Sequence, residues 1–199
     1  MILPAAPSGQ LLVASFGGID PRNGTSYVTS ELGAGGVGAR PLKDGIDVLE
    51  MGPSNCMNIP VEAIEMSYPL RIRQYGMRVD SGGAGQYRGG LGATKVFEVV
   101  HGEVVVSIRG ERYFTPPWGL YGGQPAAVGQ AWIERLDGRV EEIPSKRVFT
   151  LQPGERLWVE TPGGGGYGDP LLRDTLRQQR GDITWVYDRG SLGKSLGIK

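Results

Sequence analysis

A chain of 199 residues, 39% of them hydrophobic, is long enough to bury a core as one large domain or two small ones. Its 21 Lys and Arg balance 21 Asp and Glu. Zero net charge argues against nucleic acid or an anionic membrane as the main partner, and no apolar run is long enough to cross a bilayer.

The opening MILPAAPSGQLLVASF lacks a basic start and runs straight into patterned sequence, so it reads as a strand and not a signal peptide. GGIDPRNG follows as a turn, and TSYVTSEL as a second strand. After the glycine-rich ELGAGGVGARP, VEAIEMSYP predicts one or two helical turns, with Asn58 as N-cap and Pro69 near the stop. LRIRQYGMRVD alternates as a strand. From Lys95 onward KVFEVVHG, EVVVSIRGER, AWIERLDGR, EEIPSKRVFTL and ERLWVETP are successive strand candidates, and LDGRV is the strongest hairpin signal. Short strands broken by Gly, Pro and Asp turns predict a mainly β fold: an antiparallel β-sandwich or barrel with Gly-rich loops and few short helices. The 34 glycines and 14 prolines agree, since helices tolerate neither. Residues 171–199 change character and read as a divergent peripheral tail.

Several segments carry polar groups in settings that can do chemistry. DSGGAGQYRGGLG (80–92) reads in two ways. Its backbone donors with Asp80, Ser81, Gly82, Gly83 and Arg88 can hold an anion or carbonyl. Alternatively, it is a tight double turn held by an Asp80–Arg88 pair. It is neither a Walker loop nor a dinucleotide fingerprint, because no Gly-Lys-Ser/Thr and no helix follow. TPGGGGYGDP (161–170) is either a close approach to another backbone or a flexible exit loop. NCMNIPVE offers Asn55 and Asn58 to orient a carbonyl or a water, and Glu62 as acid or base; the alternative is turn and capping chemistry. Glu31, in a glycine-rich setting, reads as solvated; the alternative is a buried acid. TPPWGLYGG (115–123) lines a pocket or interface, or caps the fold. His101, in a hairpin-like turn, reads as solvated. One His and one Cys make no metal motif, and Cys56 excludes internal disulfides and fits a reducing cytoplasm.

In order and spacing, GARPLKDGID, NIPVEAIE with YPLRI, RVDSGGAGQYRGGLG, PPWGLYGGQPA, PSKRVFTLQPGERL and TPGGGGYGDP resemble the C-terminal part of hydantoinase B, the B-type component of the ATP-dependent hydantoinase/5-oxoprolinase family. Acetone carboxylase-like enzymes share these motifs. The resemblance covers residues 1–170 and implies a hydrolase of cyclic amide C–N bonds, acting in the cytoplasm with an A-type subunit that uses ATP. It also implies that the preceding B-type portion comes from elsewhere, along with ATP and a divalent metal, so that the isolated chain is inactive. Residue type and motif position suggest substrate or water orientation by Asn55 and Asn58, acid or base chemistry by Glu62, and anion binding by Arg88 with Asp80 and Ser81. The alternatives are a non-catalytic structural or interaction module and a carboxylase subunit.

Overall fold

The computed structural model describes residues 3–9, 12–50 and 56–173. Among these residues nine strands and one short α-helix lie in the order β1 (Leu12–Asp20), β2 (Thr25–Gly33), α1 (Val61–Ser67), β3 (Leu70–Met77), β4 (Ala93–Val99), β5 (Val104–Arg109), β6 (Gln130–Glu134), β7 (Val140–Ile143), β8 (Lys146–Leu151) and β9 (Arg156–Glu160), followed by a single 3-10 turn at Pro170–Leu172. Every strand pairing is antiparallel. One sheet has the order β2-β1-β5-β8 and the other β3-β4-β9-β6-β7. Neither closes on itself, so the sandwich reading holds and the barrel does not.

The alternation seen in the sequence is what makes the core. Leu12, Ala14, Phe16, Val104, Val106 and Ile108 face inward from the first sheet. Phe97, Val99, Ile133, Leu157 and Val159 meet them from the second. Phe16 and Phe97 join the sheets, with ring centroids 4.8 Å apart. A buried side chain of this size is worth about 1.5–3 kcal/mol, so this inward stripe supplies most of the driving force for folding.

Four local expectations need correction. β1 continues through the predicted turn as far as Asp20, leaving only residues 21–24 to reverse the chain. The Asp20 carboxylate takes the Arg22 N–H at 2.9 Å and its guanidinium at 2.7 Å, which makes the shorter turn possible. The EEIPSKRVFTL run is two strands in different sheets, divided where Pro144 removes a ladder donor. His101 is exposed as expected, but its turn is a corner between sheets and not a hairpin. Asn58 does not cap α1: Pro60 holds that position without a side-chain bond. The helix itself ends as expected, at an extended Tyr68 before Pro69. LDGRV does form the β6–β7 hairpin, with Gly138 at φ 82 closing it by the bond from Gly138 N–H to Arg135 O.

Among the described residues no helix is long and apolar enough to cross a membrane. Asn55 and residues 174–199, most of the tail, lie outside the described residues.

Candidate functional site

Two polar assemblies are built on this frame. The first sits at the seam between the sheets. β2 carries Glu31 and β4 carries Lys95, and their charged ends meet at 3.2 Å with side chains 6% and 8% exposed. Glu31 Oε1 accepts from Asn58 Nδ2 at 3.0 Å and from the Ile59 N–H at 3.3 Å. Asn58 Oδ1 in turn accepts from the Tyr75 hydroxyl at 3.1 Å. The Lys95 ammonium lies 4.6 Å from the centre of the Tyr75 ring and 5.3 Å from that of Phe97. The other carboxylate oxygen of Glu31 and the Lys95 Nζ make no directed hydrogen bond. Both border a cavity of about 20 Å³, which is room for one water and not for a ring substrate. Burial pushes the Lys95 ammonium below its ordinary value, and Glu31 opposes that shift.

Glu31 is thus a buried acid, contrary to the solvated reading. Lys95 was not singled out in the sequence, though a signal existed: alternation places it on the same face as Phe97 and Val99. A lysine on an inward face needs a buried partner.

The second assembly is the glycine-rich region. Residues 163–166 run through its middle outside any strand or helix. Gly164, Gly165 and Gly166 donate to Gly90 O, Ala6 O and Gln124 O at 2.9, 2.8 and 3.0 Å. Gly163 donates to Ala127 O at 3.3 Å, so donors three apart in sequence return to the same neighbouring segment. That period of three is the geometry of a polyproline II-like strand. A Cβ on Gly163, Gly164, Gly165 or Gly166 would lie 1.9, 2.1, 2.0 or 2.1 Å from the backbone oxygen of Ser81, Val37, Trp118 or Ala84. Close approach to other backbones, not a flexible exit, is the reason for four consecutive glycines.

The predicted anion loop is woven into this assembly. The Gly83 N–H goes to Gly164 O at 2.8 Å and the Gly89 N–H to Gly83 O at 2.9 Å. Ser81 is fully buried; its hydroxyl donates to Arg78 O and accepts from the Gly92 N–H, both at 2.8 Å. Gly82 packs against the backbone of Gly89. The fork of Arg88 is closed by Asp47, at 2.7 and 3.2 Å, in place of the expected Asp80. Asp80 is exposed at φ 55 in the turn. The neighbouring Asp44 accepts from the Arg88 N–H at 3.0 Å and from Arg173 at 2.9 and 3.1 Å. The chain just past 170 is therefore fastened to the same region.

The remaining candidates are scattered. Glu62 is exposed in the first turn of α1, while Asn58 turns toward Glu31. Trp118 and Tyr121 are 53% and 72% exposed at the rim of the glycine assembly, where Arg112 lies 4.9 Å over Trp118. Among the described residues no three His, Cys, Asp or Glu side chains cluster to hold a metal.

Comparison with known proteins places this geometry. The family model for hydantoinase B/oxoprolinase matches residues 2–170, taking in both sheets and the glycine assembly. The beta chain of the caprolactamase of Pseudomonas jessenii is 36% identical over 170 residues, covering 80% of this chain and 29% of that protein. The crystal structure of the ATP-dependent caprolactamase of that organism superposes with a TM-score of 0.73 at 29% identity, over 87% of this chain and 31% of that one. The putative B component of a D-/L-hydantoinase from Pseudomonas sp. (strain NS671) is 34% identical over 173 residues, covering 85% of this chain and 28% of that protein. Nucleotide-free acetone carboxylase shares the fold, with a TM-score of 0.76 at 20% identity over 94% of this chain and 29% of that one. The chain spans under a third of the length of these relatives.

Proposed function

The chain belongs to the hydantoinase B/oxoprolinase family, and on that premise we propose that it is the β-rich C-terminal portion of a B-type subunit in an ATP-dependent cyclic-amide hydrolase. The observation that carries this reading is the family match from residue 2 to residue 170. Its relatives bear the names of hydantoinase, caprolactamase and 5-oxoprolinase. An A-type partner would use ATP to activate a hydantoin, 5-oxoproline or a similar lactam. The remaining B-type portion would bring the divalent metal. In such chemistry the carbonyl is already activated, so pre-aimed donors matter more than a strong nucleophile.

Within that complex this chain acts mainly as framework. Arg88, Ser81 and Gly83 serve by locking the glycine assembly, since their polar groups are engaged internally, and Gly82 by letting backbones approach closely. Asn58 is engaged with Glu31 and Tyr75 in the seam, so of these candidates the exposed Glu62 and Asp80 face a substrate or the rest of the subunit. The internal engagement of so many polar groups also favours the second reading, a non-catalytic interaction module.

The purified chain with ATP and 5-oxoproline or hydantoin should open no ring. The same chain should support ring opening once an A-type partner and the remaining B-type portion are added. Robust turnover by the isolated, homogeneous chain overturns the proposal, and a complex that assembles without turnover favours the interaction module.

A further inference from the structure

The two sheets present very different outer faces. The outer face of β3-β4-β9-β6-β7 is dense with charge: Glu98 is ringed by Arg71, Arg73 and Arg156, and Glu134 joins Arg156. The outer face of β2-β1-β5-β8 is not. Strand register lines up Val28, Gly17, Val105 and Thr150 in one row across the sheet. Ser30, Ser15, Ser107 and Val148 form the next. These two rows hold no charged residue, in a chain with 21% charged residues. Val28, Val105 and Val148 are 77%, 47% and 66% exposed.

Solvated faces of antiparallel sheets normally carry polar and charged side chains. This one has small side chains, so a second layer can approach closely. Of its four hydroxyls, two are paired with each other, Ser15 Oγ and Ser30 Oγ at 2.8 Å, while Ser107 and Thr150 would need partners from the incoming layer. Drying the face would leave neither member of the serine pair stranded, which removes part of the usual cost of burying polar groups. Charge flanks the two rows: exposed Glu103, bonded by the Gln152 amide at 2.7 Å, stands beyond one end, and at the other Arg109 pairs across the ladder with Lys146. Lys146 is held by Glu111 at 3.0 Å, which leaves exposed Arg109 to meet a carboxylate of the partner.

We propose that this uncharged face is the docking surface for the remaining portion of the B-type subunit, which meets it with an uncharged, apolar layer and an acidic group beside Arg109. The inference rests on the proposed function. Its occupant is argued from length: the chain spans 29% of the caprolactamase beta chain, so most of such a protein has to find a surface here. The composition of the face suits a permanent apolar contact and not a charged ligand.

Val28 and Val148 stand on the two edge strands, so Val28→Lys with Val148→Lys tests the face without touching the core. The chain and its variant are each co-expressed with an A-type partner and the remaining B-type portion, and assembly is read by pull-down and gel filtration. The expected result is a complex with the wild-type chain and binding roughly ten-fold or more weaker for the double variant, at an unchanged melting point. Glu142→Lys, which changes a charge on the other sheet, should assemble normally. Equal assembly of wild type and double variant overturns the inference while leaving the functional reading intact; no assembly of the wild type overturns both. A lower melting point of the isolated double variant would make residues 174–199 of this chain the occupant, and a wild-type dimer that the variant dissociates would make it a second copy. Either result overturns the proposal.

Discussion

Lys95 Nζ stands 3.2 Å from Glu31 Oε2 across the seam between the sheets, and each side chain is more than nine-tenths buried. Taking one charge away leaves the other without compensation in a site with room for only about one water. Lys95→Met should therefore cost about 3–5 kcal/mol in urea unfolding. Lys95→Met with Glu31→Gln should recover part of that loss, because no lone charge remains. A double variant as unstable as the sum of the two single ones would show that the pair is not coupled.

The glycine assembly gives a sharper contrast. Gly164→Ala places a Cβ 2.1 Å from the Val37 carbonyl oxygen, and the nearest atoms are all backbone of Val37 and Gly38, which cannot swing aside as a side chain would. The expected loss exceeds about 4 kcal/mol, or the chain fails to fold. Gly76→Ala, on the edge strand β3, meets nothing within 4 Å and should change stability little. Circular dichroism melts of the two variants make the comparison, and a well-folded Gly164→Ala chain would contradict this packing.

Arg88 and Asp47 act as one unit. Arg88→Lys loses the two-pronged contact with Asp47, at 2.7 and 3.2 Å, and should lower stability by about 1–3 kcal/mol. Asp47→Asn should cost a similar amount, since Oδ1 also accepts the Leu91 N–H at 2.9 Å. The two losses should not add. An unchanged melting point for both would remove the pair from the framework.

Much of this was legible in the sequence because strand faces are written locally. Alternation gave β1 to β6 and β9 with modest boundary errors, and Asp137-Gly138 gave the β6–β7 hairpin. The EEIPSKRVFTL run failed because nothing local says that a chain changes sheets at a proline. The polar pairings failed for another reason. Asp47 reaches Arg88 from 41 residues upstream, while Asp80 was nearer in sequence and chemically equivalent. Glu31 sits beside glycines, which look exposed until four other segments close around them. Residue type named the groups that need partners; only the topology chose the partners.

Acid should expose a different pairing. Glu98 is largely buried, and hydrogen bonds from Arg73, with help from Arg156, hold its carboxyl below the ordinary 4.5. A depressed folded value means that the unfolded chain binds the proton more readily. The stabilisation is therefore complete above pH 4.5 and lost as pH falls through the lower folded value. At pH 6 Glu98→Gln should be less stable by about 1–2 kcal/mol, a figure reduced because both arginines are partly exposed. Urea unfolding from pH 6 to pH 3 should bring variant and wild type together. A constant gap would show that Glu98 does not titrate in this way.

The most direct measurement titrates this chain into a fixed mixture of A-type partner, remaining B-type portion, ATP and 5-oxoproline or hydantoin, and follows ring opening. The account predicts almost no turnover without the chain and a saturable rise as it is added, ending at a fixed ratio to the other two. A rate that is already full before the chain is added, or that never responds to it, would contradict the claim that this chain completes a B-type subunit.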